Sequence, residues 1–183
     1  MSIAEQSTAT TWQLDSAHTQ VEFSAKHMMF TTVKGHFANI KGTIHLDEQD
    51  ISRSSVEAEI DAATLDTRVE QRNTHLRSQD FLHVEQFPTI TFKSTRVERA
   101  GEDQLKVTGD LTIRGTTRSV VLDTTITGRG KSPYGTTVAG FEAHTTINRK
   151  DFGLNWNVAL EAGGFLVGDI IKINIEAEAV LQA

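Results

Sequence analysis

The chain has 183 residues and a formal net charge of -6, long enough for one domain with a core that needs no staples. Acids and bases are interspersed with no basic patch, which excludes nucleic acid as the main partner. There are no cysteines, so disulfides, thiol nucleophiles and cysteine-bound metals are excluded as well.

The opening "MSIAEQSTATTWQLD" has neither the basic n-region nor the apolar h-region of a secretory signal. Residues 1–10 read as a flexible lead-in and 11–183 as a single domain. No apolar run approaches the roughly 20 residues of a membrane helix, so the expectation is a cytoplasmic protein with no membrane span.

From there alternation dominates. Val21, Phe23 and Ala25 alternate with Glu22, Ser24 and Lys26, and His27 shares the apolar phase. Between Val33 and Leu46 the phase switches: Val33 and Phe37 are odd, whereas Ile40, Ile44 and Leu46 are even. A bulge or bend near Ala38–Asn39 explains the switch. Val56, Ala58 and Ile60 form the next apolar face.

Thr67 to about Gln86 is the helical stretch. "TRVE" reads as a capping box with Thr67 as N-cap and Glu70 three residues on. A second start at Ser78 or Asp80 predicts two short helices. Pro88 forces Phe87 into extended backbone, and a strand runs from Thr89 to Val97. Further strands carry Leu105, Val107, Leu111 and Ile113; Leu122 and Ile126; Phe141, Ala143 and Ile147; and Ile171, Ile173, Ile175, Ala177 and Ala179. Turns are expected at Gly101–Asp103, Gly115, Gly128–Gly130, Ser132–Gly135 and Gly163–Gly164.

Period-2 patterning of this kind means half-buried antiparallel strands. Strands of about 10 residues with one apolar face and a single helical insert are best covered by closure into a barrel. A barrel of about 8 strands can hold one small ligand.

Sites for chemistry are few. The histidines (His18, His27, His36, His45, His75, His83 and His144) form no His-x3-His pair on the helical stretch and no His-x-His on a strand, so no metal site is expected. Asp80–His83 and Arg77–Asp80 have helix-neighbour spacing, which is ordinary for caps and solvated faces. No nucleophile elbow, P-loop or dinucleotide fingerprint is present. The expectation is a non-enzyme with no catalytic residue and no cofactor. The inward set is Phe23, Ala25, Phe37, Ile60, Ile90, Phe92, Leu111, Ile113, Leu122, Phe141, Ile147, Ile171, Ile173 and Ile175, with Trp156 added as lining. It either fills a closed core or lines a deep apolar tunnel, for which Ala25, Ala58, Gly109, Ala143, Ala177 and Ala179 leave room.

Five stretches carry a resemblance: "WQLDSAHTQVEFSAKHM" (Trp12–Met28), "VKGHF" (Val33–Phe37), "HLRSQDFLHVEQFPTITF" (His75–Phe92), "VTGDLTIRGTTRSV" (Val107–Val120) and "INRKDFGLNW" (Ile147–Trp156). In this order, from Trp12 to about Glu178, the chain resembles the YceI-like, polyisoprenoid-binding family of lipocalin-like barrels. Two places depart from its pattern: Arg72-Asn73 stands where the family carries Arg-Asp, and Thr117-Arg118-Ser119 where it carries Thr-Lys-Pro.

The resemblance implies an all-β protein, an extended eight-stranded antiparallel lipocalin-like barrel with a short helical insert. It implies a long isoprenoid lipid, polyprenyl or quinone-tailed, in the interior, a role in transport, storage or stress response, and a homodimer. His27, Asn148 and Arg149 are the polar groups expected to orient a head group. An enzyme acting on such a ligand through His27 or Asp80–His83, and a barrel that is simply full, are the alternatives.

Overall fold

A computed structural model describes residues 8–183. Its strands are β1 (Thr10–Leu14), β2 (Gln20–His27), β3 (Thr31–Phe37), β4 (Ile40–Leu46), β5 (Ser55–Asp61), β6 (Thr89–Arg99), β7 (Gln104–Ile113), β8 (Thr116–Lys131), β9 (Thr137–Asn148) and β10 (Ile170–Leu181). One α-helix, α1 (Glu70–Arg77), interrupts them.

These ten segments make eight barrel staves. Strand β10 pairs with β1 at its C-terminal end (Leu181 against Trp12) and with β2 nearer its start (Ile173 against Phe23). On their other sides, β1 pairs with β4 and β2 with β3. So β1–β2 is one broken stave and β3–β4 another, and the β1–β10 pairing closes the antiparallel ring.

Each break has a local cause. At the first, Asp15 accepts the Ala17 N–H at 3.0 Å, its own N–H reaches the Glu178 carbonyl at 2.8 Å, and a 3₁₀ turn Ser16–His18 follows. At the second, Asn39 takes a positive φ of 52°, a conformation asparagine tolerates better than most. This is the expected phase switch. On one side of it Phe37 is buried, and on the other Ile40.

Three expectations about connections are overturned. Thr67 does not cap the helix: Val69 is the N-cap and has no side-chain cap bond. The Thr67 N–H and hydroxyl instead both reach Asn73 Oδ1, at 2.7 and 2.6 Å. No second helix follows: residues 78–86 fold as turns, with His83 at φ 49°. Finally, Gly128–Gly130 is not a turn, because β8 runs through it, pairing Gly128 with Gly140 and Gly130 with Val138 after a bulge. Lacking side chains, these glycines look like turn residues, yet they pair in register once a partner strand is present. Of the expected lead-in, residues 1–7 lie outside the described residues. Thr10 already belongs to β1, paired with Leu46.

One end of the barrel is plugged by Trp12, Leu46, Ala139 and Ala179. The other is covered by α1, the turns 78–87 and the long β9–β10 connection. That cover, together with the segment between β5 and α1, contributes Leu65, Phe81, Phe152 and Leu154, all buried.

Candidate ligand-binding site

Two apolar cavities lie end to end inside the barrel. The inner chamber, ≈ 180 Å³, is lined by Val21, Ile40, Ala58, Ile60, Phe92, Leu111, Leu122, Phe141, Ala143, Ile173, Ile175 and Ala177 among others. The outer chamber, ≈ 280 Å³, is lined by Phe23, Ala25, Phe37, Ile90, Ile113, Ile147, Leu154, Trp156 and Ile171 with the cover residues Leu65, Leu76, Phe81 and Leu82. They follow one another along the same strands: β2 gives Val21 to the inner and Phe23 to the outer, and β10 gives Ile173 and Ile171. Phe23 and Phe37 stand side by side in the outer one, ring centroids 5.2 Å apart. A dry cavity of roughly 150 Å³ lined by Leu, Ile and Phe already admits small apolar molecules, so both are of ligand size.

All fifteen residues expected to line a tunnel are on these walls. Phe23, Ala25, Phe37, Ile90, Ile113, Ile147, Trp156 and Ile171 are in the outer chamber, with Ile60, Phe92, Leu111, Leu122, Phe141, Ile173 and Ile175 in the inner. The smallest inward residues keep the space open: Ala25 in the outer chamber, Ala58, Ala143 and Ala177 in the inner. Gly109 differs. The Phe92 ring lies directly over it, and a Cβ there would also sit 2.6 Å from the Lys93 carbonyl. Ala179 belongs to the plug.

The polar groups sort differently from expectation. His27 lines the outer chamber at an exposed position, which puts it at the mouth. Asn148 lines neither chamber; its side chain caps the following turn by accepting the Lys150 N–H at 3.0 Å. Arg149 is 2% exposed and touches the outer chamber, but its hydrogens are taken. Nε donates to Gly168 O at 3.0 Å, Nη1 to Leu154 O at 2.6 Å and Trp156 O at 3.0 Å, and Nη2 to Val167 O at 3.4 Å. Nη2 also lies 3.5 Å from Asp169 Oδ1. With four hydrogen bonds to loop carbonyls and the Asp169 ion pair, Arg149 organises the β9–β10 connection. Burial lowers its pKa and the Asp169 charge opposes that.

Sequence spacing missed the polar groups that do reach the outer chamber. Arg72 and His75 line it beside His27, whereas Lys26 touches the chamber but sends its ammonium to Thr32 Oγ1 on the outer face, 3.0 Å away. His75 packs edge-on against Trp156 (4.6 Å between centroids) and Phe81 (5.0 Å), and its Nε2 lies 2.9 Å from Asp80 Oδ2. The helix-spaced pairs Asp80–His83 and Arg77–Asp80 do not form. Because 78–86 is not helical, Asp80 meets His75, and Arg77 instead binds the carbonyls of Ala63 and Leu65 and the Glu70 carboxylate. The departure at Asn73 also finds its reason. The Asn73 amide donates to Asp66 Oδ1 at 2.9 Å, where an aspartate would set two carboxylates against each other. The Asp66 carboxyl is held below its ordinary range by the Arg68 N–H and then by this amide.

Among the described residues, one group has metal-ligand geometry: Asp15, His18 and Glu178, near the first strand break. Asp15 and His18 already bond each other at 2.8 Å.

The description "YceI-like domain" matches residues 12–179. A UPF0312 protein of Staphylococcus aureus strain MSSA476 is 37% identical over 170 residues, covering 92% of this chain and 96% of the relative. Among solved structures, BcnA of Burkholderia cenocepacia superposes with a TM-score of 0.77 at 23% identity, covering 90% of this chain and 98% of that one. The Campylobacter jejuni YCEI protein gives 0.72 at 30% identity, over 86% and 90%. A polyisoprenoid binding domain from Saccharophagus degradans gives 0.67 at 13% identity, over 94% and 99%. The barrel, its helical insert and these matches along nearly the whole chain agree: the protein belongs to the YceI-like family.

Proposed function

We propose that this protein is a binding protein, not an enzyme, and that it carries or stores a long-chain isoprenoid of polyprenyl or quinone-tail type. The observation that carries this is the pair of apolar chambers set end to end, a shape that suits a long, unbranched-in-path hydrocarbon. Each methylene withdrawn from water contributes about 0.8 kcal/mol, so a five-carbon unit contributes roughly 4 kcal/mol before ordering and association costs. The tail would fill the inner chamber, and His27, Arg72 and His75 would meet a polar head at the outer one. The description of the Saccharophagus degradans neighbour as polyisoprenoid binding supports the ligand class. A homodimer goes with this reading through the family resemblance.

Organic extraction and mass spectrometry of the purified protein test it, together with uptake of an added polyprenol. Ala143→Trp, in the inner chamber, should restrict the ligand to shorter chains, and Ala25→Trp, in the outer one, should abolish uptake. Absence of any lipid and of any uptake by the unmodified protein would sink the reading.

An enzymatic alternative has one observation in its favour, the His75–Asp80 couple at the chamber. It requires that His75→Ala abolish a turnover while leaving uptake intact.

A further inference from the structure

We propose that the β2–β3 hairpin tip, Met28–Phe30, is a foot that docks on an anionic bilayer and sets the mouth of the outer chamber against it. This deepens the lipid-binding reading and rests on it: the isoprenoid would pass between bilayer and barrel without crossing water.

The tip is built at a conformational cost. The Phe30 N–H bonds the His27 carbonyl at 3.1 Å across a turn whose central residues, Met28 and Met29, have φ of 49° and 67°. Two positive φ values are the signature of a type I′ turn, where Asn and Gly are the unstrained choices. Here two methionines occupy them. Burial does not explain this, since Met28, Met29 and Phe30 are 40%, 64% and 81% exposed.

A second hairpin widens the patch. The Met28 N–H bonds Leu166 O at 2.8 Å, Leu166 in turn bonds Val158, and Gly164 lies directly against the Met29 sulfur. Val158 and Phe165, 45% and 56% exposed, flank this contact. Taking roughly 200 Å² for a large side chain, the five residues present on the order of 500 Å². That is short of the about 800 Å² per partner of a standard protein interface, but ample for shallow insertion at a bilayer surface.

Charge decides for an anionic surface. On the outer wall behind the tip, Ser24 of β2 faces Lys34 on β3 and Lys172 on β10, and Lys26 stands one step nearer the tip. All three lysines are exposed, in a chain of net charge -6. The acids at this end are Glu70, Asp80 and Glu85 in the helical cover and Asp151, Glu161 and Asp169 in the β9–β10 connection; of these Glu70 pairs with Arg77, Asp80 with His75, and Asp169 with Arg149 and Lys150. Apolar residues leading and lysines following is the order that bilayer depth demands. The tip also adjoins the opening, because His27, Leu166 and Val167 line the outer chamber.

The experiment is flotation of the full chain with phosphatidylcholine vesicles with and without phosphatidylglycerol, beside uptake of a detergent-solubilised polyprenol. The unmodified protein should float with the anionic vesicles only, and less as salt rises past about 0.15 M. Met28→Asn with Met29→Gly relaxes the turn, so this variant should melt higher. With Phe30→Asp added, flotation should fall about tenfold or more while polyprenol uptake stays unchanged. Lys34→Gln with Lys172→Gln should remove the preference for phosphatidylglycerol. Lack of flotation by the unmodified protein overturns the proposal, and so does equal flotation of the tip variant. A dimer that dissociates in the tip variant by analytical ultracentrifugation also overturns it, in favour of a second copy covering the patch. Flotation without polyprenol uptake leaves the foot standing and removes the lipid-binding reading instead.

Discussion

Replacing Arg149 by methionine removes a buried cation whose partners are almost all backbone carbonyls of one loop. Three of its bonds are well formed, to Leu154 at 2.6 Å and to Trp156 and Gly168 at 3.0 Å, while Val167 and Asp169 are at 3.4 and 3.5 Å. Bonds from a charged donor contribute about 1.5–3 kcal/mol each. Three at the low end give roughly 4–5 kcal/mol, from which the relieved cost of burying the guanidinium must be subtracted. The expected net loss is about 3 kcal/mol. At about 2–4 °C per kcal/mol for a chain of this size, Tm should fall by roughly 6–12 °C. Differential scanning calorimetry gives that number. Hydrogen exchange should place the opening in the β9–β10 connection, at Leu166 and Gly168, before the strands. Arg149→Lys should recover less than half, since three donors on one atom cannot reach carbonyls arranged around a planar fork. If Tm moves by less than about 2 °C and loop exchange is unchanged, these bonds do not organise the loop.

Two further perturbations probe the barrel. Gly35 lies beneath the Phe23 ring, and a Cβ there would also meet Thr67 Cγ2 at 2.8 Å. Gly35→Ala should therefore push Phe23 toward the outer chamber and cost about 1–3 kcal/mol, read by urea denaturation; a neutral result would mean the ring has room to move away. His18 has its pKa raised above the ordinary 6.5, chiefly by its hydrogen bond to Asp15. Its contribution to stability is complete below pH 6.5 and is lost as pH rises through the higher folded value. Asp15, held below its ordinary 3.8 by the same bond, contributes above that pH and loses its contribution as pH falls through its folded value. An NMR titration of His18 should show the raised midpoint, and Asp15→Asn should bring it back.

Much of this molecule is local in origin, and the sequence carries it openly. Alternation in β2, β5, β7, β9 and β10 marks each inward residue, because the pleat sends successive side chains to opposite faces whatever strand lies alongside. The change of phase at Ala38–Asn39 shows the stave breaking for the same reason. Tertiary structure decided the rest. Only the assembled ring makes β10 the neighbour of both β1 and β2, or draws Gly128–Gly130 into β8 through pairing with β9. Helix spacing pairs Asp80 with His83, but that stretch folds as turns and its partner is His75. Position alone offers Arg149 as a head-group ligand, whereas the carbonyls of the β9–β10 loop close around it. Pleat and period are properties of a few consecutive residues, whereas the partners of a buried polar group are chosen by whichever distant backbone must also be satisfied.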